Sequence, residues 1–141
     1  MSDIVYAREA ALPVDDYVDV VGHSALGAAR PIGDRERIAE MIAGADLIVS
    51  ARIDERCVGV ARCLTDFAWV AYCGDLAVHD DFQGRGIGLG LLAACRDILG
   101  ERVGTALISM PGAVGFYNSQ GPKVDLHPCP DAYFMKRRRG I

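Results

Sequence analysis

The run Asp75-Leu76-Ala77-Val78-His79-Asp80-Asp81-Phe82-Gln83-Gly84-Arg85-Gly86-Ile87-Gly88-Leu89-Gly90-Leu91-Leu92 decides how the rest of the chain is read. Its first part is apolar and ends at Val78, as a buried strand would. Its middle is polar and then carries glycines at every second position. From Ile87 onward, Leu91, Leu92, Cys95, Ile98 and Leu99 fall on one face of a helix. The run is therefore strand, glycine loop, helix. That order suits a pyrophosphate. The first N–H groups of a helix have no internal partner, and the helix dipole adds positive potential at the same end. Gly84, Gly86 and Gly88 have no Cβ, which lets phosphate oxygens approach the backbone. Arg85 supplies a full positive charge.

Two common phosphate loops do not fit. A Walker loop needs Lys and then Ser or Thr after its last glycine, and neither follows. The dinucleotide fingerprint G-x-G-x-x-G fails because Leu89 or Leu91 takes its last position. The run instead resembles the acetyl-CoA-binding motif of the GNAT N-acetyltransferases, Q/R-x-x-G-x-G/A, with Gln83, Gly86 and Gly88 at its defining positions. Leu76-Ala77-Val78 matches the strand before the loop. Strand, loop and helix match in order, and the likeness covers the second half of the chain well and the first half in outline. It implies acetyl-CoA as co-substrate, no metal, and cofactor contacts from Leu76, Ala77, Val78, Gln83, Gly84, Arg85, Gly86, Ile87, Gly88 and Leu89. Members often form dimers, so a homodimer is a further partner the resemblance allows.

The chain's 141 residues suit one domain over 1–141, with half of them apolar and so enough to build a core. A net charge of −4 argues against a dedicated nucleic-acid binder, which is normally basic. The basic run Lys136-Arg137-Arg138-Arg139 reads as a solvated tail. Five cysteines, Cys57, Cys63, Cys73, Cys95 and Cys129, form no C-x-x-C pair and are odd in number. No signal-like segment or membrane-length apolar run is present. The expectation is a reduced, cytoplasmic protein without membrane partners, most of whose thiols act as small core residues.

Taken in order, Ile4–Arg8 reads as a first strand. Leu12-Pro13 opens a helix with Tyr17, Val20 and Val21 on its apolar face. The glycine-rich stretch from Gly22 to Gly33 breaks regular structure, and in the family this region lies beside the acceptor. Asp34 caps a helix carrying Ile38, Met41, Ile42 and Ala45 at helical spacing, which Gly44 ends. Leu47–Ile53 and Cys57–Cys63 form a hairpin about Asp54-Glu55-Arg56. Trp69–Val78 is the strand that feeds the glycine loop. Gly104–Met110 follows a strand–helix crossover, so it lies parallel to Trp69–Val78. A short helix runs from Pro111 through Tyr117, and strand-like pieces lie near Val124 and at Ala132–Met135. The fold class is mixed α/β: a mostly antiparallel sheet, a parallel splay between Trp69–Val78 and Gly104–Met110, and helices on both faces. The family's sheet has this form.

Acetyl transfer to an amine needs a neutral amine, a polarised carbonyl and a proton for the departing thiolate. Backbone N–H groups near Leu76–Val78 suit the second need if a bulge aims one at the carbonyl. The resemblance implies Tyr117 as general acid, and an ordinary Tyr is protonated at neutral pH. For the base, Asp75 and Tyr72 lie on the right strand. Asp75 is a candidate base or, equally, a carboxylate that accepts hydrogen bonds. His79 and His127 are shuttle candidates that read more simply as surface residues. One departure from the family is Gly121-Pro122, where Gly-Phe is common. A rival nucleophile would be Cys129 beside His127. The expected function is direct acetyl transfer from acetyl-CoA to a primary amine of a small molecule or protein. The alternative is a non-catalytic acyl-CoA-binding or sensor module, which has no use for a proton donor at Tyr117.

Overall fold

The first strand, β1, spans Ile4–Arg8, and Pro13 caps the helix that follows, α1 (Val14–Gly22). Asp34 caps α2 (Arg35–Ala43) by accepting the Arg37 N–H at 3.1 Å. The hairpin pairs β2 (Leu47–Ile53) with β3 (Arg56–Thr65). Asp54 and Glu55 hold its turn with both φ angles positive, at 47° and 70°, the twist a two-residue hairpin turn demands. Then come β4 (Val70–Val78), α3 (Ile87–Leu99), β5 (Gly104–Leu107) and α4 (Val114–Gln120). The computed structural model describes residues 3–139. Its sheet has the order β1-β2-β3-β4-β5, antiparallel except for the parallel pair β4-β5. That parallel pair is the one the crossover predicts.

Strand alternation covers both faces. Leu47, Val49 and Ala51 of β2 pack with Ile87, Leu91, Cys95 and Leu99 of α3. Ile48 of β2 packs with Tyr17, Val20, Val21 and Ile38 from α1 and α2. Ile98, expected on the buried face of α3, is 38% exposed and lies off the core.

A bulge decides where the site falls. Arg62 of β3 pairs with Asp75 and Cys63 with Cys73, so Gly74 is the extra residue on β4. An unpaired residue inverts the alternation that follows. Ala71 and Cys73 face α3, whereas Ala77 joins the α1 layer. Asp75 is turned the same way, toward Tyr17 of α1.

The C-terminal strands are not formed. A 3₁₀ turn spans Gly121–Val124, and no strand follows among the described residues. Gly121 is closely packed there, since a Cβ would lie 2.6 Å from the Leu126 carbonyl oxygen. Pro122 has no N–H to donate to a ladder. Tyr133 and Met135 are 98% and 95% exposed, so no burial rewards pairing. β5 also stops at Leu107, short of Met110.

Candidate active site

The β4-β5 ladder runs from Val70↔Gly104 to Cys73↔Leu107 and then stops. β4 continues alone to Val78 on that side, so backbone groups from Gly74 to Val78 border a cleft. The cavity measures about 560 Å³, and both Arg30 and the glycine loop line it. Leu76, Ala77, Val78, Gln83, Gly84, Gly86, Ile87, Gly88, Leu89 and Tyr117 all line it. Ten of the sequence's candidates are thereby brought together.

At the loop end the backbone is open. Gly84 and Gly86 have φ of 76° and 77°, and a Cβ at either would meet nothing within 4 Å. Only glycine adopts that backbone cheaply while leaving the space open. Gly86 caps α3 without any side-chain hydrogen bond, in contrast to Asp34 at α2. The first N–H groups of α3 are therefore without a side-chain acceptor at the wall of the cleft. This donor set fits a phosphate.

Three loop residues also make contacts within the protein. A Cβ on Gly88 would lie 3.0 Å from the Phe116 ring, so its small size seats α4 against α3. The Gln83 amide donates to the Val78 carbonyl at 2.7 Å and braces the loop to β4. Arg85 does not line the cleft; its guanidinium lies 5.2 Å from the Phe82 ring centroid.

Asp75 is corrected from candidate base to buried anchor. Tyr17 Oη donates to Oδ2 at 2.7 Å, Arg62 Nε to Oδ2 at 2.6 Å, and Arg30 Nε to Oδ1 at 2.5 Å. Its side chain is fully buried and absent from the cavity wall. Burial alone would raise its pKa, but the Arg62 charge and the hydrogen bonds from Arg62, Tyr17 and Arg30 outweigh it and hold the carboxyl below its ordinary value. A carboxylate so satisfied is a poor proton acceptor. Burial and the nearby Asp75 charge in turn hold Tyr17 protonated well above the ordinary tyrosine range.

Arg30 is the residue the sequence did not name. It follows a 3₁₀ turn at Ala25–Ala29 whose Ser24 cap accepts the Leu26 N–H. Besides Asp75, it donates to the Gly74 carbonyl at 2.6 Å and the Ala29 carbonyl at 2.9 Å. Within the expected acceptor region, only its tie to a residue 45 positions away marks it out.

Tyr117 lines the cleft from α4. Burial, with a smaller effect from Cys73, pushes its pKa up to about 12. It therefore holds its proton throughout the neutral range. The Cys63 contact and burial push the Cys73 thiol well up, which leaves it a neutral wall residue. Cys129 is exposed and lies with His127 along a separate groove beside β5. His79, expected at the surface, is buried. Its Nδ1 accepts the Asp81 N–H at 3.1 Å and its ring stacks on His23. His79, His23 and Asp19 cluster within 4.8 Å, outside the cleft. While Nδ1 accepts from Asp81, Nε2 lies 3.8 Å from Asp19 Oδ1.

Among known proteins, the model of the acetyltransferase (GNAT) family matches residues 17–121. A Prochlorococcus marinus protein described as an uncharacterized N-acetyltransferase ycf52-like is 39% identical over 70 residues, 47% of this chain and 38% of that protein. A Staphylococcus aureus protein of unknown function superposes with a TM-score of 0.76 at 20% identity, over 97% of this chain and all of the other. The aminoglycoside N-acetyltransferase AAC(6')-Iy, solved in complex with CoA, gives 0.72 at 16% identity over 99% of this chain and 97% of its own. At those identities the two structures establish the fold. No helix among the described residues is long and apolar enough to cross a membrane.

Proposed function

The chain belongs to the acetyltransferase (GNAT) family, and on that premise we propose that it moves acetyl from acetyl-CoA directly to a primary amine. One observation carries the reading: the cleft opened by the divergence of β4 and β5 ends at the uncapped N-terminus of α3, behind two glycines of positive φ. Gly84, Gly86 and the first N–H groups of α3 would hold the pyrophosphate. The free edge of β4 from Gly74 to Val78 offers backbone groups to the extended arm and to the thioester carbonyl. Acetyl-CoA supplies the activated acyl group; the rest is positioning and proton handling.

Tyr117 donates the proton that the departing thiolate needs. Its raised pKa keeps that proton in place at neutral pH. A tyrosine in the same cleft as the anion-binding loop favours transfer over simple acyl-CoA binding. With Asp75 occupied by three donors, the amine loses its proton to water or enters already neutral. Among the described residues, no side chain on the cleft wall is a carboxylate or histidine.

The test is an acetyl-CoA-dependent thiol-release screen against amines, amino acids and lysine peptides, with mass spectrometry of the products. Thiol release that depends on an amine, with acetyl found on that amine, is the expected result. Tight acetyl-CoA binding with no amine-dependent release across the panel would favour the binding-module alternative.

A further inference from the structure

Arg30 is the sole charged residue on the wall of the cleft among the described residues. Its side chain is 22% exposed and that of Arg62 only 13%. Two guanidinium groups share one carboxylate, Asp75, so the cluster carries an excess positive charge at the edge of the cavity. Nε and one N–H on each terminal nitrogen of Arg30 are taken by Asp75, Ala29 and Gly74. Of its five N–H donors, two remain, one on each terminal nitrogen. Three fixed bonds remove the conformational freedom that an arginine otherwise loses on gripping a ligand.

This charge stands apart from the anion site of the loop. Arg30 is tied to Gly74, and the loop begins after Val78. Four strand residues separate them by about 13 Å along β4. The phosphates of acetyl-CoA belong at the loop end, which leaves Arg30 for the second substrate. The rest of the cleft wall is mostly small or apolar, with Leu26, Leu76, Ile108 and Met110 among its members, and carries no acidic side chain among the described residues. Such a wall does not suit a polycation.

Resting on the acetyltransferase reading, we propose that the acceptor is an amine with an apolar body and a carboxylate, and that Arg30 recognises that carboxylate. Asp75, Tyr17 and Arg62 are positioning residues for Arg30. The excess charge also disfavours an ammonium close by, which helps the acceptor amine attack in its neutral form. Transfer joins the amine nitrogen to the acetyl carbon, breaks the thioester carbon–sulfur bond and leaves CoA as the thiol.

The experiment compares acceptors matched except for the carboxylate: leucine against leucinamide, phenylalanine against phenylalaninamide, and 4-aminobenzoate against 4-aminobenzamide. An aminoglycoside and a lysine peptide complete the panel. Wild-type protein is expected to favour carboxylates in kcat/KM by roughly tenfold to a hundredfold, the worth of a charged hydrogen-bonded pair. Arg30→Gln should erase that preference through KM for the carboxylates, and Arg30→Lys should restore part of it. Circular dichroism and calorimetric titration of acetyl-CoA establish that each variant is folded and loaded. Equal or better use of the carboxamides, of the aminoglycoside or of the lysine peptide by wild type overturns the proposal and leaves the acetyltransferase reading standing. So does a failure to acetylate any carboxylate member while another amine of the panel is acetylated; acetyl-CoA binding with no acetylated product from any member overturns both. No calorimetric binding of acetyl-CoA and no acetylated product overturns both.

Discussion

Replacing Asp75 by Asn keeps the shape of the side chain and removes its charge. In the native protein that carboxylate is fully buried and meets three donors at 2.5–2.7 Å. The Asn would leave two guanidinium groups, 22% and 13% exposed, close together with no counter-charge. Removing one partner from a buried ionic cluster costs about 3–5 kcal/mol. For a chain of this size that corresponds to a fall in Tm of roughly 10 °C or more. The pH dependence gives an independent check. The folded pKa of Asp75 lies below its ordinary value, so its contribution is fully present above about pH 4, the unfolded value, and is lost as pH falls through the folded one. Urea unfolding of wild type and variant between pH 2 and pH 7 reads both quantities. The gap should be largest at pH 7 and close toward pH 2. A variant as stable as wild type at pH 7, or a gap that does not change with pH, would refute the assignment of Asp75 as the anchor.

Tyr117→Phe keeps the ring and should lower the single-turnover rate by ~10²–10⁴-fold, the usual worth of a general acid, while acetyl-CoA affinity measured by calorimetry stays unchanged. Because the folded pKa is about 12, the acid form persists as pH rises, and the wild-type pH–rate profile should show no alkaline loss from Tyr117 below about pH 11; a wild-type rate in the variant returns Tyr117 to a packing role. Gly90→Ala places a Cβ inside the Tyr6 ring and hydroxyl and should cost ~1–3 kcal/mol by overpacking. The same substitution on a Tyr6→Ala background should cost little, since Ala is the better helix former, and an equal cost in both backgrounds would contradict the contact.

Much of the fold was legible because its signals are local. The Asp34 cap, the helical spacing from Ile87 to Leu99 and the alternation in β2 are fixed by residues within a few positions of one another. The parallel β4-β5 pair followed from a single strand–helix crossover. What escaped depends on distant partners. Ala132–Met135 has strand composition, but strand formation needs a neighbour and burial, and those residues have neither. The Gly74 bulge leaves no local mark, yet it turns Asp75 to the α1 layer. In the site, the loop was readable from its glycines, although the packing of Gly88 against Phe116 was not. Asp75 could be read either as base or as hydrogen-bonded carboxylate until Tyr17, Arg30 and Arg62 were seen around it. Arg30 sits in a glycine-rich stretch with no periodicity to mark it.

The anion seat at α3 is tested most directly by calorimetric titration of acetyl-CoA into wild type, Gly86→Asn and Gly86→Asp. Asn and Asp are matched in size and both tolerate the left-handed backbone that Gly86 adopts, so their difference isolates the charge. A carboxylate about 4 Å from a phosphate costs about 4 kcal/mol near a protein surface, or roughly a thousandfold in affinity. One-site binding by wild type, with a folded Asp variant far weaker than the Asn variant, is the predicted result. Equal affinities for folded Asn and Asp variants, or no binding by wild type, would contradict the placement of acetyl-CoA in this cleft.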